Sequence, residues 1–378
     1  MKRVKLGSLV DVIRSPLPKL GHGELSYVAT GDVGEHEITG IQLHQYGEQP
    51  SRANLKCQPG DIILARMANT TKVLVIDDFN AAYVYSTGFA ALRIKSDQIT
   101  VDFLAHLLRS SEFQRQKDQA STGATQKAIL DDALLQLEVS VPELDFQRKF
   151  AEALDNCRRQ LVARCGQLEV LAEMRKSLFQ EAKSQSMQSE IVSQVASVWD
   201  CSHSTPKWTN AGQICLRTPN LGKGDWVWDD KRYVSEEDFT NRSKGGAAQP
   251  GDIILSREGT IGIAAIVEEG MMVCMGQRLV QVRANTSIIL PEYLLAHLLD
   301  VLRPEVISKV MVGSTAQHLN VSDLKNLPVP IIEIGKQLEF SEKWNIVKAL
   351  MDEEKKSLDL IQELKMSLQR QAFGRDHE

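Results

Sequence analysis

Two carboxylic acids and two histidines stand out because each pair recurs in the same short motif. Asp61 and Asp252 both follow Pro-Gly and precede Ile-Ile-Leu, and His106 and His297 both lie within Leu-Ala-His-Leu-Leu. Carboxylates and imidazoles are the usual groups of acid–base catalysis. However, an aspartate in a Pro-Gly-Asp turn is explained by turn formation alone. A histidine repeated on an apolar helix is more typical of packing than of a ligand, so we expect structural roles for all four.

Other signatures of catalysis or metal binding are missing from the sequence. It contains no GxxxxGK[ST] phosphate loop and no Gly-x-Ser-x-Gly nucleophile elbow. The six cysteines have no CxxC spacing, and Cys201-Ser-His203 has no second Cys/His pair at a suitable distance. The sequence therefore predicts neither an enzyme active site nor a zinc site.

The repeated motifs belong to a tandem duplication. The heptamer Gln-Pro-Gly-Asp-Ile-Ile-Leu starts at Gln58 and again at Gln249, and Leu-Ala-His-Leu-Leu starts at Leu104 and again at Leu295, both at an offset of 191 residues. A weaker match relates residues 29–33 to residues 217–221 at an offset of 188. Identical motifs in the same order predict two copies of one structural unit.

Each copy has the pattern of an α+β domain. A Pro-Gly turn leads into the Asp-Ile-Ile-Leu strand, and further short strands follow. Amphipathic helices are predicted over residues 101–119 and 291–310. Because strands and helices do not alternate regularly, a doubly wound fold is not expected. We predict α+β domains over residues 1–145 and 188–335.

A long helix with a narrow apolar stripe follows each domain, within residues 146–187 and 336–378. The two helices have the same heptad phase at an offset of 190, with mostly apolar a and d positions, which predicts that they pair as a coiled coil. The predicted interface consists of Leu154, Leu161, Arg164, Leu168, Leu171, Leu178, Trp344, Val347, Met351, Glu354, Leu358, Ile361 and Leu368. Arg164 and Glu354 occupy d positions near the middle of their helices, where an antiparallel pair would bring them together as an ion pair. The alternative is that both extend into solvent.

The doubled order of these motifs resembles the specificity (S) subunit of type I restriction–modification systems. The matching features are a Pro-Gly-Asp-Ile-Ile-Leu strand followed by Arg, a Gly-Ser/Ala-Thr-Gln loop, a Val-Pro…Gln run and the long helix, over nearly the whole chain. The resemblance implies two target-recognition domains, each reading one half of a split DNA sequence. It also implies an antiparallel coiled coil that spaces the domains and docks two methyltransferase subunits. Restriction/translocase subunits would join that core, and this chain would not be catalytic.

The resemblance also implies where cofactors and partners belong. The sequence lacks the Asn/Asp-Pro-Pro-Tyr/Phe tetrapeptide of adenine methylases. We therefore expect S-adenosylmethionine on the methyltransferase partner, and ATP and Mg on the restriction subunit. The expected partners are double-stranded DNA, two methyltransferase subunits and restriction subunits. The scattered cysteines favour a location in the reducing cytoplasm. No apolar run approaches the ~18 residues of a membrane span, so we expect no membrane partner.

Candidate base-reading residues lie on the loops of both copies. Arg, Lys, Asn and Gln present hydrogen-bonding patterns that match base edges in the major groove. The candidates are Arg66, Asn69, Thr70, Lys72, Gln126, Lys127, Lys207, Arg217, Asn220, Arg257, Thr260, Gln317 and His318. For Arg66 and Arg257 a shared structural bond is an equal alternative. The first copy lacks the glycine that the family has in this loop. Trp226 and Trp228 alternate like one face of a strand, and we expect core packing for them.

The charge balance argues against strong unaided DNA binding. The formal net charge is −5, with 15 basic and 18 acidic residues in 1–145 and 13 and 17 in 190–335. Partner subunits would then supply much of the attraction to phosphate. Two alternatives stay open: a duplicated protein-interaction scaffold, and a stand-alone DNA-binding regulator.

Overall fold

The computed structural model describes residues 2–18, 21–34, 36–124, 126–303, 306 and 318–373. The chain divides into two compact units, one of Met1–Arg164 with Ser357–Glu378 and the other of Cys165–Lys356. Each unit contains one globular domain and one part of each long helix. No helix in the described ranges is long and apolar enough to cross a membrane.

The described strands and helices follow a similar but not identical order in the two copies. The strands of the first unit are β1 (Lys2–Lys5), β2 (Val10–Ile13), β3 (Glu24–Val28), β4 (Gln42–Gln45), β5 (Ala53–Lys56), β6 (Ile62–Ala65), β7 (Val73–Val75), β8 (Val84–Ser86), β9 (Phe89–Ile94) and β10 (Glu138–Val141). Those of the second are β11 (Gln188–Ile191), β12 (Ala196–Asp200), β13 (Trp208–Thr209), β14 (Gln213–Leu216), β15 (Tyr233–Val234), β16 (Ile253–Ser256), β17 (Ala264–Ile266), β18 (Val273–Met275), β19 (Leu279–Ala284) and β20 (Pro328–Ile331). The helices are α1 (Val101–Arg109), α2 (Ser111–Ala120), α3 (Asp131–Gln136), α4 (Leu144–Ser184), α5 (Val192–Val195), α6 (Glu236–Ser243), α7 (Pro291–Val301), α8 (Val321–Lys325) and α9 (Ile334–Phe373).

The sheets confirm the duplication and show where the copies diverge. The sheets β2-β9-β6-β7 and β12-β19-β16-β17 have equivalent strand orders, as do the pairs β1-β10 and β11-β20. The other sheet is β4-β3-β8-β5 in the first unit and β13-β15-β14-β18 in the second. These two share only a parallel pair, β3 with β8 and β14 with β18, which is central in the first sheet and lies at one edge of the second. The copies therefore diverge in the strands that accompany this parallel pair.

The repeated Asp-Ile-Ile-Leu strand lies in the core of each domain because its side chains are apolar on both faces. All four residues of β6 and of β16 are buried. Asp61 accepts from the backbone N–H of Gln58 (2.8 Å) and from two nitrogens of Arg93 (2.7 and 2.8 Å). Asp252 makes the equivalent bonds to the Gln249 N–H and to Arg283. The expected turn role of both aspartates is confirmed.

The prediction of one helix over residues 101–119 is wrong. The chain forms α1 and α2 instead, with Ser110 between them in extended backbone (φ −64°, ψ 146°). The Ser110 hydroxyl accepts from the Phe113 N–H, so it caps α2 rather than continuing α1. In the second copy α7 ends at Val301, and most of the rest of the predicted 291–310 helix lies outside the described residues.

The two long helices pair in both units, which confirms the antiparallel coiled coil. In the first unit the start of α4 packs on the end of α9, with 5.2 Å between the ring centroids of Phe150 and Phe373. In the second unit the end of α4 packs on the start of α9, where Phe179 contacts Phe340. Contact of an early segment with a late one in each unit requires antiparallel helices.

The predicted interface residues differ in burial. Leu154, Trp344, Val347 and Met351 are buried. The partly buried ones are Leu161, Arg164, Leu168, Leu171, Leu178, Glu354, Leu358, Ile361 and Leu368. Arg164 and Glu354 belong to different units, and their ion pair stays a prediction.

Each long helix is joined to its domain by a buried glutamine. The Gln147 side chain accepts from the Thr100 N–H (2.9 Å) and donates to the carbonyls of Gln98 and Pro142 (2.7 and 2.8 Å). Gln337 repeats this arrangement with the Leu290 N–H and the carbonyls of Ile288 and Ile332. Both glutamines have zero exposure, so every polar atom of the side chain is satisfied inside the protein.

Candidate nucleic-acid interface

Three segments of the first unit meet beside the end of β6. They are the loop of residues 66–72, the loop of residues 121–128 and the turn of residues 30–32. The Ala68 N–H donates to the Lys127 carbonyl (2.9 Å), and the Lys72 ammonium donates to the Thr30 carbonyl (2.8 Å). The six candidates of this copy are therefore brought together, although they are separated by up to about 60 residues of sequence.

Within this cluster, some candidates face outward and others hold the loops. Asn69, Gln126 and Lys127 are exposed, and Thr70 is partly buried. Arg66 lies 2.5 Å from the Asp131 carboxylate and donates to the Phe89 carbonyl. Arg66 and Lys72 thus have structural partners, whereas Asn69, Gln126 and Lys127 are in position to reach a ligand.

Asn69 explains how the first copy forms its loop without a glycine. Its φ is 56°, in the left-handed region that disfavours most side chains. Asparagine tolerates that region better than other non-glycine residues. In the second copy Gly259 and Gly262 have φ of 77° and 79° in the corresponding loop. Asn69 therefore combines a turn role with an exposed amide.

The corresponding cluster of the second unit is held together by two buried polar residues. Arg257 is 6% exposed, and its guanidinium lies 3.2 Å from the Asp200 carboxylate. Asn220 is 1% exposed; its amide donates to the carbonyls of Val227 and Asp230 and accepts from the Arg217 N–H. Burial and the pairing with Asp200 speak against base contacts for Arg257, and burial with three hydrogen bonds speaks against them for Asn220. The structural alternative for Arg257 is the better explanation.

The remaining candidates of the second unit are accessible to different degrees. Lys207 and Thr260 are exposed. His318 pairs with Glu258, with Nδ1 3.3 Å from the carboxylate, and its side chain is 41% exposed. The Leu319 N–H donates to the Arg257 carbonyl, so this loop also meets the loop that follows β16. Gln317 lies outside the described residues.

A basic and aromatic face on the second unit was missed by the sequence interpretation. Trp208, in β13, is 38% exposed, and the guanidinium carbons of Arg217 and Arg232 lie 5.9 and 5.5 Å from its ring centroid. Arg217 also bonds the Asp230 carboxylate at 2.5 Å and thereby lowers the pKa of Asp230. Distances of this size allow cation–π attraction. The face combines a π surface with positive charge, which suits contact with a nucleic-acid backbone or base.

The neighbouring tryptophans are mainly structural. Trp226 and Trp228 stack with 5.3 Å between ring centroids and pack against the core of the second unit. Trp226 Nε1 donates to the Ile266 carbonyl. The expectation of core packing is confirmed. The Lys231 ammonium lies 5.3 Å from the ring centroid of Trp228 and extends the basic face. The sequence signal that could have identified the basic face is the Lys231-Arg232 dipeptide, which follows shortly after Trp228.

The comparisons with known proteins agree with this arrangement. Residues 1–168 and 216–367 match the family described as the type I restriction modification DNA specificity domain. The fold resembles a type I restriction-modification S subunit from M. genitalium, with a TM-score of 0.66 and 13% identity over 100% of this chain and 96% of that chain. It also resembles a chain from a structural study of complex assembly and conformational transition of the type I R-M system, with a TM-score of 0.58 and 17% identity over 100% and 98% of the two chains.

No curated protein matches the chain significantly. The family match, however, covers most of both copies, including the loop clusters, the first part of α4 and most of α9. The chain therefore belongs to the type I restriction modification DNA specificity domain family, and it is a DNA-recognition component rather than a catalytic subunit.

Proposed function

We propose that this chain reads a bipartite DNA target, one half with each globular domain, and docks two methyltransferase subunits through its long helices. The observation that carries the proposal is the recurrence of one loop cluster in both units. Each cluster combines the loop after the Asp-Ile-Ile-Leu strand with the loop before α3 or α8. Two similar but diverged clusters on one chain suit a target with two different halves.

Exposure and side-chain chemistry favour a base-contacting role for the exposed members of each cluster. In the first unit these are Asn69, Gln126 and Lys127, whose amide and ammonium groups can bond purine edges. In the second they are Thr260, His318 and the basic face with Lys207, Trp208 and Arg232. Arg66, Asn220 and Arg257 would position the loops instead.

Matching exposed apolar pairs on the two helices support the docking of two identical partners. Val170 and Met174 on α4 are 69% and 49% exposed, and Leu360 and Leu364 on α9 are 66% and 53% exposed. The two pairs are equivalent at the 190-residue offset of the duplication. Exposed apolar side chains at i and i+4 form one helix face that favours association. Equivalent faces in the two copies suit two copies of one partner.

The chemistry of modification and cleavage would then belong to the partners. S-adenosylmethionine would bind the methyltransferase subunits, and ATP and Mg the restriction subunit. The assembly would work in the cytoplasm on double-stranded DNA. The acidic balance of both domains suggests that DNA binds tightly only once the methyltransferase subunits are present.

Methylome sequencing of a host with and without this gene tests the proposal. We expect adenine methylation at one two-part sequence that disappears when the gene is deleted. Mobility-shift assays with and without the methyltransferase separate the alternatives. Binding only with the partner supports the proposal, binding without it supports a stand-alone regulator, and no binding in either case supports a protein scaffold.

A further inference from the structure

Two exposed apolar side chains lie within the loop cluster of the first unit. Met67 is 44% exposed and Leu130 is 65% exposed. Met67 and Ala128 are opposed in a short antiparallel ladder that joins the two loops. Ile129 is buried in the core, so the extended chain places Leu130 on the outer side together with Ala128. We call Met67, Ala128 and Leu130 the apolar strip.

The amides proposed to contact bases adjoin the apolar strip. In an antiparallel ladder, a residue approaches the residue opposite to it and the two diagonal neighbours, which lie two positions to either side of that residue. For Met67 these diagonal neighbours are Gln126 and Leu130. Gln126 is exposed, and so is Asn69, which follows Met67 by two residues. A thioether and a carboxamide therefore lie side by side on this surface.

A buried lysine fixes the backbone that carries Met67. Lys117, on α2, has zero exposure, and its ammonium donates to the carbonyls of Met67 (3.1 Å) and Thr70 (2.7 Å). These two carbonyls lie on either side of Asn69 in the chain. Because both sides of the turn are held, the exposed side chains of this loop lose little backbone freedom when they bind a ligand.

The second unit has polar residues at all three positions of the strip. The bridge between Glu258 and His318 matches the bridge between Met67 and Ala128. The polar counterparts, in the order of the strip, are Glu258, His318 and Asn320. The Glu258 carboxylate has a partner within its own unit, since it lies 3.3 Å from His318 Nδ1. The apolar strip is therefore a feature of the first copy that the second does not share.

We propose that the apolar strip contacts the 5-methyl group of a thymine in the half-target that the first domain reads. Thymine presents this methyl group in the major groove, where apolar side chains contact it. Glutamine matches the N6/N7 edge of adenine, so Met67 beside Gln126 suits an A·T pair. The inference rests on the function proposed above and names one chemical group of its target. The second domain, with Glu258 in this place, makes no such contact here.

Replacement of thymine by deoxyuridine tests the contact, because the two bases differ only in this methyl group. Mobility-shift assays use the chain in complex with its methyltransferase subunits and the two-part target found by methylome sequencing, with deoxyuridine at one thymine at a time. We expect one position at which the replacement weakens binding of the wild type about fourfold, as burial of one CH₂ group predicts. Met67→Ala should bind both DNAs equally. Met67→Leu keeps an apolar contact and should remain sensitive.

Met187→Ala is the matched control. Met187 is 99% exposed and lies between α4 and β11, outside both loop clusters, so this variant should keep the sensitivity of the wild type. If no thymine is sensitive, or if wild type and Met67→Ala are equally sensitive, the methyl contact is overturned while binding of the unmodified target still supports the proposed function. If the wild-type complex does not bind that target at all, the proposed function is overturned as well.

Discussion

At the scale of single residues, exposure distinguishes the proposed base-reading residues from those that hold the loops. Gln126 and Lys127 are exposed on a loop of the first unit, whereas Asn220 and Arg257 are buried in the second. We expect Gln126→Ala with Lys127→Ala to relax methylation specificity in one half of the target by about 1–3 kcal/mol per lost base contact. Methylome sequencing of the variant measures it. Thr122→Ala, which changes another exposed residue of that loop, is the control. Altered specificity in both halves of the target would contradict the proposal that each domain reads one half.

His297 should make the second unit sensitive to mild acid. It is 1% exposed, and burial lowers its pKa to about 4. The folded-state pKa is thus below the unfolded value of roughly 6.5. The unfolded chain therefore binds the proton first, and stability decreases as pH falls from about 6.5 towards 4. Urea unfolding measures the free energy of unfolding at pH 7 and at pH 5. Between these pH values His297→Leu should lose less of this free energy than the wild type, and the difference between the two losses should be at most about 2 kcal/mol. An equal loss in both proteins would exclude this role.

At the scale of elements, the second unit has a buried arginine within the coiled-coil seam. Arg175 occupies an a position, stacks 3.9 Å from the centre of Trp344 and is 4% exposed. A Cβ on Gly224 would lie 2.3 Å from its Nη2, so glycine is needed for this approach. Arg175 thereby connects both long helices to the 221–226 turn of the recognition domain.

Replacing Arg175 should destabilise this junction. We expect Arg175→Ala to cost about 2–5 kcal/mol, because the stacking is lost and Asp225 keeps only Lys355. Arg175→Lys should recover only part of it, since an ammonium lacks the planar stacking surface. Tryptophan fluorescence during urea unfolding measures both. Arg159→Ala, on the exposed face of α4, should change stability by no more than about 0.5 kcal/mol. A similarly small effect of Arg175→Ala would show that the junction is not held by this side chain.

At the scale of the whole molecule, the duplication makes a prediction about stoichiometry. If the exposed apolar pairs dock the methyltransferase, Val170→Glu with Met174→Glu should leave one bound subunit instead of two. Leu360→Glu with Leu364→Glu should have the same effect at the other site, and the combined variant should bind none. Mass determination of purified complexes by light scattering counts the subunits. The control is Val162→Glu, which changes an exposed valine whose counterpart in the second copy is Asp352. This variant should still bind two methyltransferase subunits. If the combined variant still binds two methyltransferase subunits, the docking surface lies elsewhere on the chain.

How far the sequence predicts the structure depends on the range of the interactions involved. Local residue periodicity and repeated sequence motifs predict the duplication, the α+β class, the long helices and their heptad pairing. Both kinds of pattern can be seen in the sequence without knowledge of tertiary contacts. The break at Ser110 was not predicted, because the apolar pattern continues across it while a single hydroxyl ends one helix and caps the next.

The sequence by itself determined which segments are equivalent and which residue types are available in each loop. Only the tertiary structure decided which of those side chains are free to bind. Arg66 and Arg257 look alike in sequence, yet their guanidinium groups are held by Asp131 and Asp200, which come from distant segments. The structure likewise decided that Arg175 is buried beside Asp225. Burial and ion pairing arise from contacts between segments far apart in the chain, and no pattern of neighbouring letters specifies them.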